Sequence, residues 1–416
     1  MSLPSSCAST PESTSDSVWV DWKRNFKRLG AWRRRRYEQN ALSADSLSQQ
    51  TGRLTAIELM RGFAIVLIVA SHAIDMFIWD ESRDLSRALR IAISNGSIFF
   101  VFIAGFLFSH LRSRFCYHRY LYRKCQVVLL PYLIVSIPAI IIFTLFLERE
   151  LVSSEFYQQS LPAQIAGFYI NGLHLSPFWF VPMLVLFYVF SIAFVSLHDH
   201  KRYLIICLPL SIAASLYIER GDTLASFVYY LSVYLLGMTA CIYRSVIYRI
   251  LFLNGILLLL CTAVLMCGIY ELYFTADTKG VANYLQKIIA CFLVLGLFLR
   301  FESWLEKNDS KHAERKQEKS DKPAVFRAKD RVLSVLVERI KTALLLLAGT
   351  SFGIFFIHSY LISAIKIGYE QLFSSLPAGN VGALFLVAAL IIASTALIVR
   401  AVQVVFSSYS RYLIGS

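Results

Sequence analysis

The stretch RLTAIELMRGFAIVLIVASHAIDMFIWD, residues 53–80, decides the fold. It reads as an apolar helix long enough to enter a membrane, with four ionisable groups along one side. At about 100° per residue, Arg61 and His72 are eleven positions apart and fall within roughly 20° of each other. Glu58, three residues before Arg61, and Asp75, three after His72, join the same stripe. At 1.5 Å rise per residue, Arg61 and His72 stand about 16 Å apart along the axis. That spacing puts the arginine near one membrane face and the histidine near mid-depth. Ionisable groups in apolar spans are expensive, so they usually face a bundle interior or a wet cavity. A lone histidine in such a helix is most often hydrogen-bonded to a neighbour, whereas four aligned ionisable groups point to a functional stripe.

The composition around this helix is that of a membrane protein. Of 416 residues, 57% are hydrophobic and 16% charged, with mean hydropathy +0.58; a soluble domain carries nearer a quarter charged residues. The formal net charge of +14 does not signal nucleic acid, because the basic residues cluster in alternate short loops, the pattern of cytoplasmic loops in polytopic proteins. Eight cysteines (Cys7, Cys116, Cys125, Cys207, Cys241, Cys261, Cys267, Cys291) show no paired metal spacing and imply no disulfide framework. A cleavable leader is not expected, since the first apolar run follows some fifty polar residues.

Residues 1–52 are Ser/Thr-rich and then basic, with Arg33 to Arg36 consecutive, and read as a disordered cytoplasmic tail held against anionic lipid heads. At about twenty apolar residues per crossing, ten spans are expected in the 53–410 domain. They fall near 57–79, 92–111, 126–147, 177–197, 203–219, 225–243, 251–272, 285–303, 342–365 and 380–407. The apolar run 161–174 is short and reads as a re-entrant or interfacial helix. From a cytoplasmic N-terminus, the basic loops at 112–124 and 244–249 fall inside. So does the charged loop at about 304–341, with its short amphipathic stretch from Val332 to Ile340. The expected class is an all-α integral membrane protein of about ten helices with both termini cytoplasmic.

The motifs carry a resemblance. IELMRG followed by ASH (57–62 and 70–72) is similar to the signature helix of the acyltransferase-3 family, which places an acid, then Arg-Gly, then a His after ten intervening residues. In SIFFVFIAGFLFSH (97–110), Phe99, Phe100, Ala104 and Gly105 resemble that family's FF-x-x-x-G-F run. In HRYLYRKCQVVLLPYL (118–133), basic residues lead into Pro131-Tyr132 as in its K-R…P-Y element, although Val127 stands where a second basic residue is usual. PFWFVPML (177–184) is similar to its W-F-x-P element, and GTSFGIFFIHSYLI (349–362) to its closing S-x-G-I-Y-L-x-H segment. Ser351 and His358 lie seven residues apart, about 10 Å along one helix, so they form no nucleophile pair. His358 reads instead as a structural or gating group. His174, just before the fourth span, is placed at the outer surface within reach of an acceptor.

The resemblance implies an O-acyltransferase, most often an O-acetyltransferase, in the cytoplasmic (inner) membrane of a bacterium. It would move an acyl group from cytosolic acetyl-CoA or another acyl-CoA to a hydroxyl of a cell-surface or lipid-linked glycan, with no metal. Carried onto this chain, His72, Arg61, Glu58 and Asp75 form the catalytic stripe, with Glu58 or Asp75 orienting the imidazole and balancing Arg61. Arg61, Arg119, Arg123 and Lys124 hold the acyl-CoA, and Phe100, Trp179 and His358 meet the substrate. Membrane lipids, the glycan or lipid-linked acceptor and polysaccharide-synthesis machinery are the partners implied; nucleic acid is not. Two other classes fit the same stripe. One is a transporter or flippase whose pathway it lines; the other is an assembly partner of a polysaccharide-synthesis complex with no chemistry of its own.

Overall fold

A computed structural model of the chain describes residues 54–79, 83–149, 152–275, 280–317 and 324–415, with the backbone alone for 306–334. The expected tail of residues 1–52 lies outside them. Apart from Leu54, the described residues belong to one compact unit, Thr55–Ser416. They are helical almost throughout; the only β pairing among them is an isolated bridge between Ile78 and Ala378.

The opening stretch forms α1 (residues 54–73), followed by a 3-10 turn, Ile74–Met76. Two short helices, α2 (Arg83–Ile93) and α3 (Ser97–His110), return along it. Then come α4 (Tyr117–Lys124) and α5 (Leu130–Leu145), joined by a π-turn at Cys125–Leu129. The short helix α6 (Leu161–Asn171) leads to α7 (Phe180–Val189) and α8 (Ser191–Asp199), and these to α9 (Lys201–Tyr217) and α10 (Thr223–Ile242). The chain continues through α11 (Asn254–Phe274) and the long α12 (Val281–Gln317). It closes with α13 (Ala324–Phe373) and α14 (Val381–Phe406).

Among the described residues, eight helices are long and apolar enough to cross a membrane, and a ninth crossing results if α7 and α8, bent by 57°, count as one. The all-α membrane architecture is therefore as expected. The remaining expected span, 203–219, is the 17-residue α9, about 25 Å long and short of a hydrocarbon core of about 30 Å. The described backbone of the charged 304–341 stretch is helical beyond the short helix expected from Val332 to Ile340, as α12 runs on to Gln317 and α13 begins at Ala324. Its abundance of Glu, Lys, Arg and Ala gives it high helix propensity.

Two close approaches position the site. A Cβ on Gly62 would sit 2.2 Å from the Leu344 carbonyl oxygen, so α1 lies directly on the backbone of α13. Gly105 of α3 and Gly237 of α10 interlock with the helices running parallel, their starts joined by Ser97 and Tyr230: a Cβ on either glycine would lie 2.0 Å from a carbonyl oxygen of the other helix, Tyr234 or Phe102. Small residues let apolar helices gain dispersion contact where the lipid offers no hydrophobic drive to associate.

Candidate active site

Helix α1 keeps Arg61 and His72 on one face, as the periodicity requires, and both are half-buried. His72 lies in the last turn of α1, eighteen residues from Leu54, so about 27 Å from the helix start rather than at its middle. The helix stops at Ala73, and the segment beyond is pinned elsewhere. Ile78 N–H donates to Pro377 O at 2.9 Å, Gly379 N–H to Ile78 O at 2.6 Å, and Trp79 Nε1 to Ile74 O at 3.0 Å.

That early stop removes Asp75 from the stripe. Its exposed carboxylate pairs with Arg90 of α2 at 2.7 Å, so it neither orients nor charge-balances His72. Glu58 is exposed on the first turn and forms no ion pair with Arg61. The Arg61 Nε is buried without a hydrogen-bond partner.

The group beside His72 comes from α13. The His72 and His358 rings lie 5.5 Å apart between centroids, tilted by 41°. His358 is 0% exposed, and its Nδ1 sits 2.9 Å from Ile354 O. A carbonyl only accepts, so Nδ1 carries the hydrogen, and in the neutral ring Nε2 is left as a lone-pair acceptor. That Nε2 is buried and has no partner. His358 is thus placed behind the more accessible His72 with one acceptor unspent. Ser351 instead donates to Ala348 O at 2.9 Å and takes no part.

An aromatic wall continues from the pair. Phe355 lies 6.2 Å from His358 and 5.8 Å from Phe180. Phe180 in turn meets Phe100 at 6.4 Å and Trp179 at 5.9 Å. The W-F-x-P and FF motifs thereby reach the same wall as the histidines. Trp179 stacks on Tyr230 at 5.8 Å, and the Arg220 guanidinium lies 5.2 Å from its ring. Arg220 Nη1 donates to Tyr230 Oη and to Asn95 Oδ1, each at 2.6 Å.

A second arginine, Arg149, donates from Nη2 to Ser176 Oγ at 3.1 Å and stands within electrostatic reach of both His72 and His174. His174 itself is 0% exposed, not at the surface where an acceptor would meet it. Its ring bridges Phe168 O at 3.1 Å and Ser136 Oγ at 2.8 Å. Burial, opposed by the Phe168 carbonyl and reinforced by Arg149, lowers its pKa to about 4. It is a satisfied, neutral packing group.

The basic residues before Pro131 divide into two kinds. Arg119 and Arg123 are exposed, one turn apart on α4. Lys124 instead packs against the Tyr120 and Tyr188 rings, 5.6 and 5.0 Å from their centroids. Sequence reasoning did not single out Arg149 or Arg220, which sit in charged loop runs (148–150 and 219–222) that look like solvated surface. It also passed over Glu271, 1% exposed in an otherwise apolar helix. The Asn283 Nδ2 donates to both its carboxylate oxygens, at 3.0 and 3.1 Å. An ionisable group inside an apolar run was the signal available for it.

A bundle of membrane-length helices enclosing a histidine pair, with an arginine below one of them on the same helix face, defines a polytopic membrane protein with an internal polar site. The model of the acyltransferase-3 family, described as an acyltransferase domain, matches residues 54–400, and the chain belongs to that family. The match spans α1 to α14 and includes both histidines. No curated protein and no solved structure matches the chain.

Proposed function

We propose that this membrane acyltransferase takes an acyl group, acetyl first among candidates, from a cytosolic acyl-CoA and esterifies a hydroxyl of a cell-surface or lipid-linked glycan. The observation that carries this reading is the His72–His358 pair, 5.5 Å apart, on the face of α1 that also holds Arg61. His72, the more accessible ring, takes the proton of the acceptor hydroxyl as its oxygen attacks the thioester carbonyl. The carbon–sulfur bond then breaks, and the CoA thiolate recovers that proton from the imidazolium. His358 receives a hydrogen bond at Nε2, which fixes the orientation of His72 or of the attacking hydroxyl. Arg149, near His72, favours the negative charge that develops on the carbonyl oxygen.

Arg61 lies about 16 Å along the axis from His72, toward the start of α1. It anchors the CoA end of the donor, with Arg119 and Arg123 presenting guanidiniums to its phosphates. Lys124, held between tyrosine rings, shapes that end more than it grips. Phe100 and Trp179 offer ring faces to the acceptor. This assignment places the Arg61 end at the cytoplasm and the His72 end toward the far face of the bacterial cytoplasmic membrane, consistent with the basic loops. The test uses purified protein in vesicles loaded on one side with labelled acetyl-CoA. Release of free CoA that depends on His72 supports the reading, and equal release from the His72→Ala variant overturns it.

A further inference from the structure

A cavity of about 370 Å³ lies behind α1. Phe63 and Leu67 wall it on α1, and Phe63 is nine residues before His72, about 180° around the helix. The remaining walls come from α2, α3, α11 and α12. The cavity is therefore separate from the histidine pair, and the proposal does not rest on acyl transfer.

Its polar side chains, Gln286 and Lys287, stand together, with Ala88, Ile269 and Leu272 lining the short stretch toward the start of α12. Gln286 and Lys287 lie five and six residues into α12, about 8 Å from its start. From there Ala290, Leu293 and Val294 carry the wall about 10 Å further into the membrane span with apolar side chains only. The longer arm, apolar from Ala290 to Val294, has the polarity of an acyl chain whose polar head lies at the level of Gln286. Lys287 is a donor only, with two of its three N–H groups used on Ile91 O at 2.6 Å and Ala92 O at 3.0 Å at the end of α2.

Gln286 is 5% exposed, and its Nε2 donates to Val264 O at 3.2 Å. The bond to a carbonyl sets which way the amide faces and leaves Oε1 as an acceptor. That Oε1 is buried without a partner. Room for the amide is built in: a Cβ on Gly268 would come within 2.6 Å of Gln286 Nε2. The outer wall, α11, is long and apolar enough to span, and only 6% of that span is buried, so the cavity opens among lipid-facing side chains.

We propose that this cavity holds the acyl chain of a membrane lipid whose hydroxyl donates to Gln286 Oε1. A buried acceptor with no donor is costly, and a hydroxyl at the head of an acyl chain meets that need while the chain fills the apolar length. Native mass spectrometry of the purified full chain tests it with two probes, monooleoylglycerol and methyl oleate, which share a chain but differ in donor capacity. Wild type retains one equivalent of monooleoylglycerol and binds methyl oleate about tenfold more weakly, the scale of one hydrogen bond. Gln286→Leu brings the two probes to equal affinity, and Ala290→Trp, which fills the cavity, loses both. Equal binding of the two probes by wild type overturns the proposal. So does retention of monooleoylglycerol by a folded Ala290→Trp or by a second filling variant, Leu293→Trp. Binding is read without turnover, so failure of the acyl-transfer reading leaves this result intact.

Discussion

Replacing His358 with phenylalanine separates chemistry from packing. The side chain is 0% exposed and makes one hydrogen bond, Nδ1 to Ile354 O of its own helix. Losing that bond costs about 1 kcal/mol, while the phenyl ring restores apolar burial and removes an unpaired acceptor, so stability changes by no more than about 1–2 kcal/mol. Nε2 is the acceptor that fixes His72 or the attacking hydroxyl for proton transfer, and losing it withdraws the benefit of that step, about 10²–10⁴-fold in turnover. At about 1.4 kcal/mol per decade, that is roughly 3–5 kcal/mol of transition-state stabilisation, well above the structural effect. The assay is CoA-thiol release from acetyl-CoA by membranes carrying matched amounts of protein, with thermal stability measured in parallel. Because the two rings are 5.5 Å apart and act together, the His72→Ala/His358→Phe double variant should be little worse than either single one. Activity within tenfold of wild type in folded His358→Phe would refute the reasoning.

Three further outcomes follow from the geometry. Gly105→Val puts side-chain atoms where even a Cβ lies 2.0 Å from the Tyr234 carbonyl oxygen; α3 and α10 must part, and thermal stability falls by about 1–3 kcal/mol or more. Asp75→Asn breaks only an exposed pair with Arg90, worth at most about 1 kcal/mol, so CoA release stays within about twofold; a hundredfold loss would return Asp75 to the catalytic stripe. His174 has its pKa lowered to about 4 by burial, against 6.5 unfolded. Below pH 6.5 the unfolded chain therefore takes up a proton that the folded one refuses. Stability is lost as pH falls from 6.5 toward 4, by roughly 3 kcal/mol at full development. The pH dependence of thermal unfolding of wild type should steepen over that window, and that of His174→Gln should steepen less.

The α1 face was legible because helical periodicity alone places Arg61 above His72, whatever the rest of the chain does. Asp75 was misplaced because the same periodicity says nothing of where a helix ends. The chain leaves the helix after Ala73, where Ile78 and Trp79 find partners and Asp75 meets Arg90, contacts made by distant segments. The pairing of His72 with His358 depends on α1 lying against α13 at Gly62 and Leu344, which are far apart in the sequence. No local pattern reports that approach, although the Arg-Gly of the signature helix contains the residue that permits it. The motif at Gly105 was legible as a packing residue, and its counterpart Gly237 was not, since a single glycine in an apolar helix names no partner. Span positions followed from composition, while α9 fell short because a run of apolar residues does not fix where helical turns begin.

The most direct measurement of the central claim is the ester-linked acyl content of surface glycans, by mass spectrometry, in cells carrying wild type, His72→Ala or no protein. The account predicts an ester present with wild type and absent from the other two at equal membrane levels of the variant. An ester retained in cells with His72→Ala would contradict it.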